Sequence, residues 1–139
     1  MTRQCAFASV SNVVNLFETG ASWLADQLKT HASVDVTYAR GADQVMVKAT
    51  IGKTEFEIDD GSGVIVRIQS RDFLIHAADL ILAGTETLPV AGDLIRETQG
   101  ANTFVYEVMA PGNSPPYHYS DPFRKLLRIH SKHVATEST

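Results

Sequence analysis

The feature that most constrains this chain is a change of period near residue 33, where apolar residues stop recurring at helical spacing and begin to recur at every second position. A helix brings every third or fourth residue to one side and a strand every second one, so the switch separates a helical entry from a two-faced sheet. Before it, Trp23, Leu24, Leu28 and His31 fall on one side of a short amphipathic helix that Ser22 is placed to cap. On such a helix Trp23 is expected in the core, with an interface anchor as the other reading. Further upstream, Val10, Val13, Val14, Leu16 and Phe17 are interrupted by Ser9, Ser11, Asn12 and Asn15. That pattern fits another helix or an arm that docks on a neighbour.

After the switch, Val34, Val36 and Tyr38 alternate with Asp35, Thr37 and Ala39, and Val45, Val47, Ala49 and Ile51 with Met46, Lys48 and Thr50. Gly52-Lys53 reads as a two-residue hairpin connection, with Phe56 and Ile58 continuing the apolar face against Glu55 and Glu57. Asp59 to Gly63 breaks the sheet, Val64 starts a strand that runs on through Ile75, and Ala77 to Ala83 makes about one helical turn ended by Gly84. Leu94-Ile95 follows a loop marked by Pro89 and Gly92, Phe104 to Val108 alternates again, and Pro111 to Pro122 is a proline-rich connection. The last strand spans Lys125 to about Lys132, with Leu127 and Ile129 on one face and Leu126, Arg128, His130 and Lys132 on the other.

The expected fold is mainly β: a small barrel or sandwich of about six to eight mostly antiparallel strands with an N-terminal α-helix. One domain over residues 1–139 is expected, with an arm and helix over 1–32, the barrel over 33–132 and a flexible tail over 133–139.

Charge narrows the function classes. The net charge is −4, and residues 1–123 hold eight basic and fifteen acidic side chains, which argues against long-range steering onto nucleic acid. Arg124, Lys125, Arg128 and Lys132 make the C-terminal segment locally positive. No apolar run is long enough to span a bilayer, and the start lacks a signal-peptide pattern. The lone Cys5 cannot form an internal disulfide and suits a reducing compartment, and no neighbour marks it as a nucleophile.

No constellation supports catalysis, a metal or a cofactor. His130 and His133 fall on opposite faces of a strand and cannot share an ion. Asp59, Asp60 and Ser62 lack the alternating ligands of a calcium loop, and Gly61-Ser62-Gly63 precedes a strand where phosphate loops need a helix. What remains is recognition. Arg124, Arg128, His130 and Lys132 share one strand face and suit an acidic partner surface or phosphate, or simply a solvated edge that resists aggregation. Tyr117 and Tyr119, stiffened by Pro115, Pro116 and Pro122, suit an interface loop or one that packs on its own domain.

One resemblance goes further than spacing. Ser70-Arg71-Asp72-Phe73-Leu74-Ile75, Leu88-Pro89 with Gly92-Asp93-Leu94-Ile95, and Tyr106-Glu107-Val108 follow one another in order. Tyr119 to Arg124 with Arg128-Ile129-His130, and Thr37 to Gly41 upstream, extend the series over most of residues 34–132. Together they resemble the small head-tail joining proteins of tailed bacteriophages. The resemblance implies a structural β-barrel subunit of the virion neck, of the stopper or head-completion type, assembled in the host cytoplasm. It implies a homo-oligomeric, six-fold ring that meets a portal or adaptor on one side and a tail-terminator or tail-tube protein on the other. Double-stranded DNA would pass through without sequence-specific contact, and no membrane would be involved. A tail-tube or tail-terminator subunit is the nearest alternative, and a small barrel binding a ligand or single-stranded nucleic acid through Tyr117 and Tyr119 is the alternative of another class.

Overall fold

The computed structural model describes residues 4–59, 61–112 and 114–138, with the side chains described from Leu16 onward. The expectations placed on Asp60 and on the side chains of Cys5, Val10, Val13 and Val14 lie outside the described residues and side chains.

Among the described residues a single α-helix, α1, runs from Gln4 to His31, so the short helix expected after Ser22 and the upstream segment, left open as a helix or an arm, are one element. Ser22 therefore sits inside the helix and caps nothing. The stretch contains no proline, and Gly20 costs an interior helical position only about 1 kcal/mol. The helix stops where Ser33 donates its hydroxyl to the Lys29 carbonyl, and Lys29 places positive charge at the carbonyl end.

Among the described residues nine strands follow: β1 Val34–Arg40, β2 Asp43–Asp59, β3 Ile65–His76, β4 Ile81–Leu82, β5 Thr85–Glu86, β6 Leu94–Gln99, β7 Asn102–Val108, β8 Tyr117–Tyr119 and β9 Leu126–Ser138. A 3₁₀ turn, Ala77–Asp79, links β3 to the small β4–β5 ribbon. The remaining strands form one antiparallel seven-stranded sheet in the order β3-β2-β1-β6-β7-β9-β8. It curls so strongly that β3 also pairs with β9, Arg71 opposite Ser131 and His76 opposite Leu126. The mainly β fold with an N-terminal helix is the one the alternation implied.

The curl places one face inside. Val36, Tyr38, Val47, Ala49, Phe73, Ile75, Ile95, Tyr106, Val108, Leu127 and Ile129 form the core, in each strand on the inward-pointing alternate residues. A smaller cluster on the outer face joins Leu74 and Leu126 to Ala25 of α1, with Leu28 against it. This seat is what the helix packs on, and Trp23 is not part of it.

Two further expectations are corrected. Gly52-Lys53 is not a turn, because β2 passes through it without a break and the chain reverses between Asp59 and Ile65. Gly52 is needed for a close approach: a Cβ there would lie 3.1 Å from Arg128 Nη1 and 3.3 Å from Leu74 Cδ1. The C-terminal segment is not a free tail either. Residues 131–138 of β9 pair with β7, with a register shift between Val105 and Tyr106.

Candidate interaction surfaces

Even-numbered residues of β3, and of β9 as far as Lys132, point outward, so the expected basic face does form, but its middle is closed. Asp72 is fully buried between the two strands and gathers four groups. Its carboxylate accepts hydrogen bonds from Arg128 Nη1 at 2.8 Å and His130 Nδ1 at 2.9 Å, and from the hydroxyls of Ser70 and Thr54. Phe56 in turn meets the His130 ring edge-on, with centroids 5.0 Å apart. Burial alone would push the Asp72 carboxyl up; the hydrogen bonds from His130, Ser70, Thr54 and Arg128 outweigh it and hold the group well below the usual carboxylate range.

His130 is thus 2% exposed, not a surface histidine, and Arg128 is tied to an interior charge. Ser70, Asp72 and His130 are the residue types of a hydrolytic triad but not its arrangement. A triad needs the histidine between the other two, using both ring nitrogens. Here the Asp72 carboxylate and the Ser70 hydroxyl both face Nδ1, at 2.9 and 3.5 Å, inside a closed cluster. The group is a clamp across the β3–β9 seam.

Two other buried carboxylates follow the same rule. Asp93, 4% exposed, receives Arg40 Nε at 2.9 Å, Arg40 Nη2 at 2.7 Å, the Val90 amide at 3.0 Å and the Tyr38 hydroxyl. Burial would raise its pKa, and Arg40, Tyr38 and the Val90 amide together lower it, while the Tyr38 phenol is pushed up by burial and by Asp93. Glu97, 3% exposed, takes Arg71 Nη2 at 2.7 and 3.1 Å. None of these pairs was identified from the sequence. A signal was present, since an aspartate sharing the parity of Val66, Ile68 and Leu74 demands a partner if that face is covered.

The other candidate residues divide between packing and exposure. Tyr117 and Tyr119 lie on β8, which pairs with β9, and pack half-buried against the core with their rings 6.0 Å apart, edge to face. The proline-rich connection therefore packs on its own sheet. Arg124 is exposed, holds a left-handed φ of 60°, and carries its guanidinium 6.0 Å from the Tyr119 ring. Its turn is fixed by Asp121, which accepts the amides of Phe123, Lys125 and Leu126 at 2.8 to 3.2 Å. Lys132 is exposed beside the point where β3 and β9 separate.

Trp23 is the clearest departure: it is 62% exposed. Leu16, Phe17 and Leu24 are exposed as well, and because seven residues make about two helical turns, 16 lies over 23 and 17 over 24. They form an apolar strip on the side of α1 that the sheet does not cover. No helix among the described residues is long and apolar enough to cross a membrane, so the strip is not part of a span.

No curated protein matches the chain. A family model does, described as phage head-tail joining protein, over residues 14–138. That match takes in the exposed half of α1 as well as the whole sheet, so the geometry above describes a structural part of a bacteriophage virion, and the chain belongs to the phage head-tail joining protein family.

Proposed function

We propose that the chain is a ring-forming subunit of the neck, of the stopper or head-completion type, set between the portal or adaptor and the tail, with DNA passing through the ring. The observation that carries this reading is the apolar strip of Leu16, Phe17, Trp23 and Leu24, 56–69% exposed on a helix whose opposite side is seated on Leu74 and Leu126. Large apolar side chains in one contiguous strip mark a surface that another protein covers. Head-to-tail contacts around a ring need two different, complementary patches, so a helix projecting from one subunit onto the sheet of the next meets that demand. The net negative chain suits a conduit, since a lining that held phosphates tightly would impede passage.

The basic residues take a reduced part in this proposal. Arg128 and His130 serve the Asp72 clamp, which leaves Arg124 and Lys132 to face an acidic neighbour. Mass photometry of the purified protein tests the ring. The wild type is expected as a closed oligomer and Trp23→Glu with Leu24→Glu as a folded monomer; rings of unchanged size in that variant would refute the reading.

A further inference from the structure

β3 and β9 are partners only between Arg71 and His76 on one strand and Leu126 and Ser131 on the other. Beyond the Arg71–Ser131 pair they part. Residues 65–70 keep β2 on one edge and residues 132–138 keep β7 on one edge, and the two edges that face each other have no strand partner among the described residues. A free edge is a row of unpaired N–H and C=O groups, a template for another strand that folded proteins usually blunt. Here it is flanked by exposed apolar side chains, Ile65 at 64%, Val66 at 42% and Val134 at 44%.

The base of this fork is a cleft of about 630 Å³ whose charged lining is of one sign: Lys53, Arg71 and Lys132 line it beside His133, and no aspartate or glutamate does. Lys53 stands directly opposite Arg71 across β2 and β3. Like charges in that register are unfavourable unless something negative lies between them. Glu97 beneath the cleft engages Arg71 through Nη2 only, and Arg71 Nε is buried without an acceptor. Lys53 and Lys132 enter no ion pair among the described residues, although Lys132 stands opposite Glu107 in register.

From these three features, the facing free edges, the apolar flanks and the acid-free cationic base, we infer that the fork is a docking site for an extended acidic segment of a partner protein. The segment adds as a strand between β3 and β9, its backbone satisfying the open edge and its carboxylates reaching Lys53, Arg71 and Lys132. Duplex DNA fits the site poorly: its phosphates lie on a convex cylinder, whereas these cations are recessed at the base of a notch. The inference stands on the fork alone and does not require the ring.

The test uses the whole chain and a fluorescently labelled synthetic peptide of alternating glutamate and valine, read by anisotropy and by amide hydrogen exchange. Comparison probes are the same peptide with lysine for glutamate and a labelled single-stranded oligonucleotide. The glutamate peptide is expected to bind, the lysine peptide not, with slowed exchange confined to residues 65–70 and 132–138. Lys53→Gln with Lys132→Gln is expected to weaken binding by roughly tenfold or more. Both lysines are exposed, so the variant keeps its fold. No binding of the glutamate peptide, protection elsewhere, indifference to the double variant, or preferential binding of the oligonucleotide would each overturn the inference.

Discussion

Along the same two strands, β3 and β9, the molecule treats charge in opposite ways. Where they are paired, Asp72 is buried and every charge near it has an opposite or a hydrogen-bonding partner. Where they part, Lys53 and Lys132 have none among the described residues, the strand edges are open and Ile65, Val66 and Val134 face water. The paired half is built to keep its shape and the parted half to meet something. A substitution should therefore cost stability in the first and recognition in the second.

The largest expected effect comes from the clamp. Asp72→Ala leaves the Arg128 guanidinium without its counter-charge and the donors of His130, Ser70 and Thr54 without their acceptor, and removing one partner of a buried ion pair costs about 3–5 kcal/mol. Urea denaturation is the measurement, and an unchanged midpoint would mean that the seam is held by its apolar layer alone. Asp72→Asn keeps the shape and some acceptor capacity, so it should fall between the two.

Acid tests the same half without a mutation. Asp72 and Asp93 both have folded-state pKa values lowered below the ordinary carboxylate range, so in acid the unfolded chain binds more protons than the folded one. Their contribution is complete above the unfolded-state value of about 4 and is lost as pH falls from there through the folded-state values. The urea midpoint should hold steady down to that pH and then decline, and Asp72→Asn should decline less steeply. An identical slope in the two proteins would place the acid sensitivity elsewhere.

A smaller cost is expected at Gly52, where the sequence was most misleading. Gly52→Val sets carbon against Arg128 and Leu74, and overpacking of this kind costs about 1–3 kcal/mol. A glycine between two alternating runs reads as a turn as readily as a point of close approach. Only Arg128, on a strand far along the chain, distinguishes them. The same limit explains the other differences. Alternation disclosed the strands and their inward faces, because a two-residue period follows directly from pleating, and it placed Leu126, Arg128 and His130 correctly on one face. It could not show that Asp72 closes over that face. On α1 the bulkier strip of Trp23 and Leu24 reads as the buried side, yet the sheet offers only a narrow seat at Leu74 and Leu126, which takes Ala25 and leaves the large residues outside. Beyond Lys132, β9 carries too few apolar residues for a period to be visible, and pairing with β7 extends it to Ser138.

The smallest expected effect is also the one that separates the two halves most sharply. Lys53→Gln with Lys132→Gln removes two positive charges from the fork without taking a hydrogen bond or a packed methylene from the core, and surface changes of that kind fall within about 0.5 kcal/mol of zero. If the like-signed pair of Lys53 and Arg71 repels in the free protein, the small change should be stabilising, and it should shrink as salt screens the charges. A urea midpoint that rises slightly at low ionic strength and not at high would show cations held at some cost to the fold. A large loss of stability instead would mean that the fork's lysines belong to the paired half after all, and the division between a shape-keeping region and a partner-meeting one would have to be redrawn nearer the end of β9.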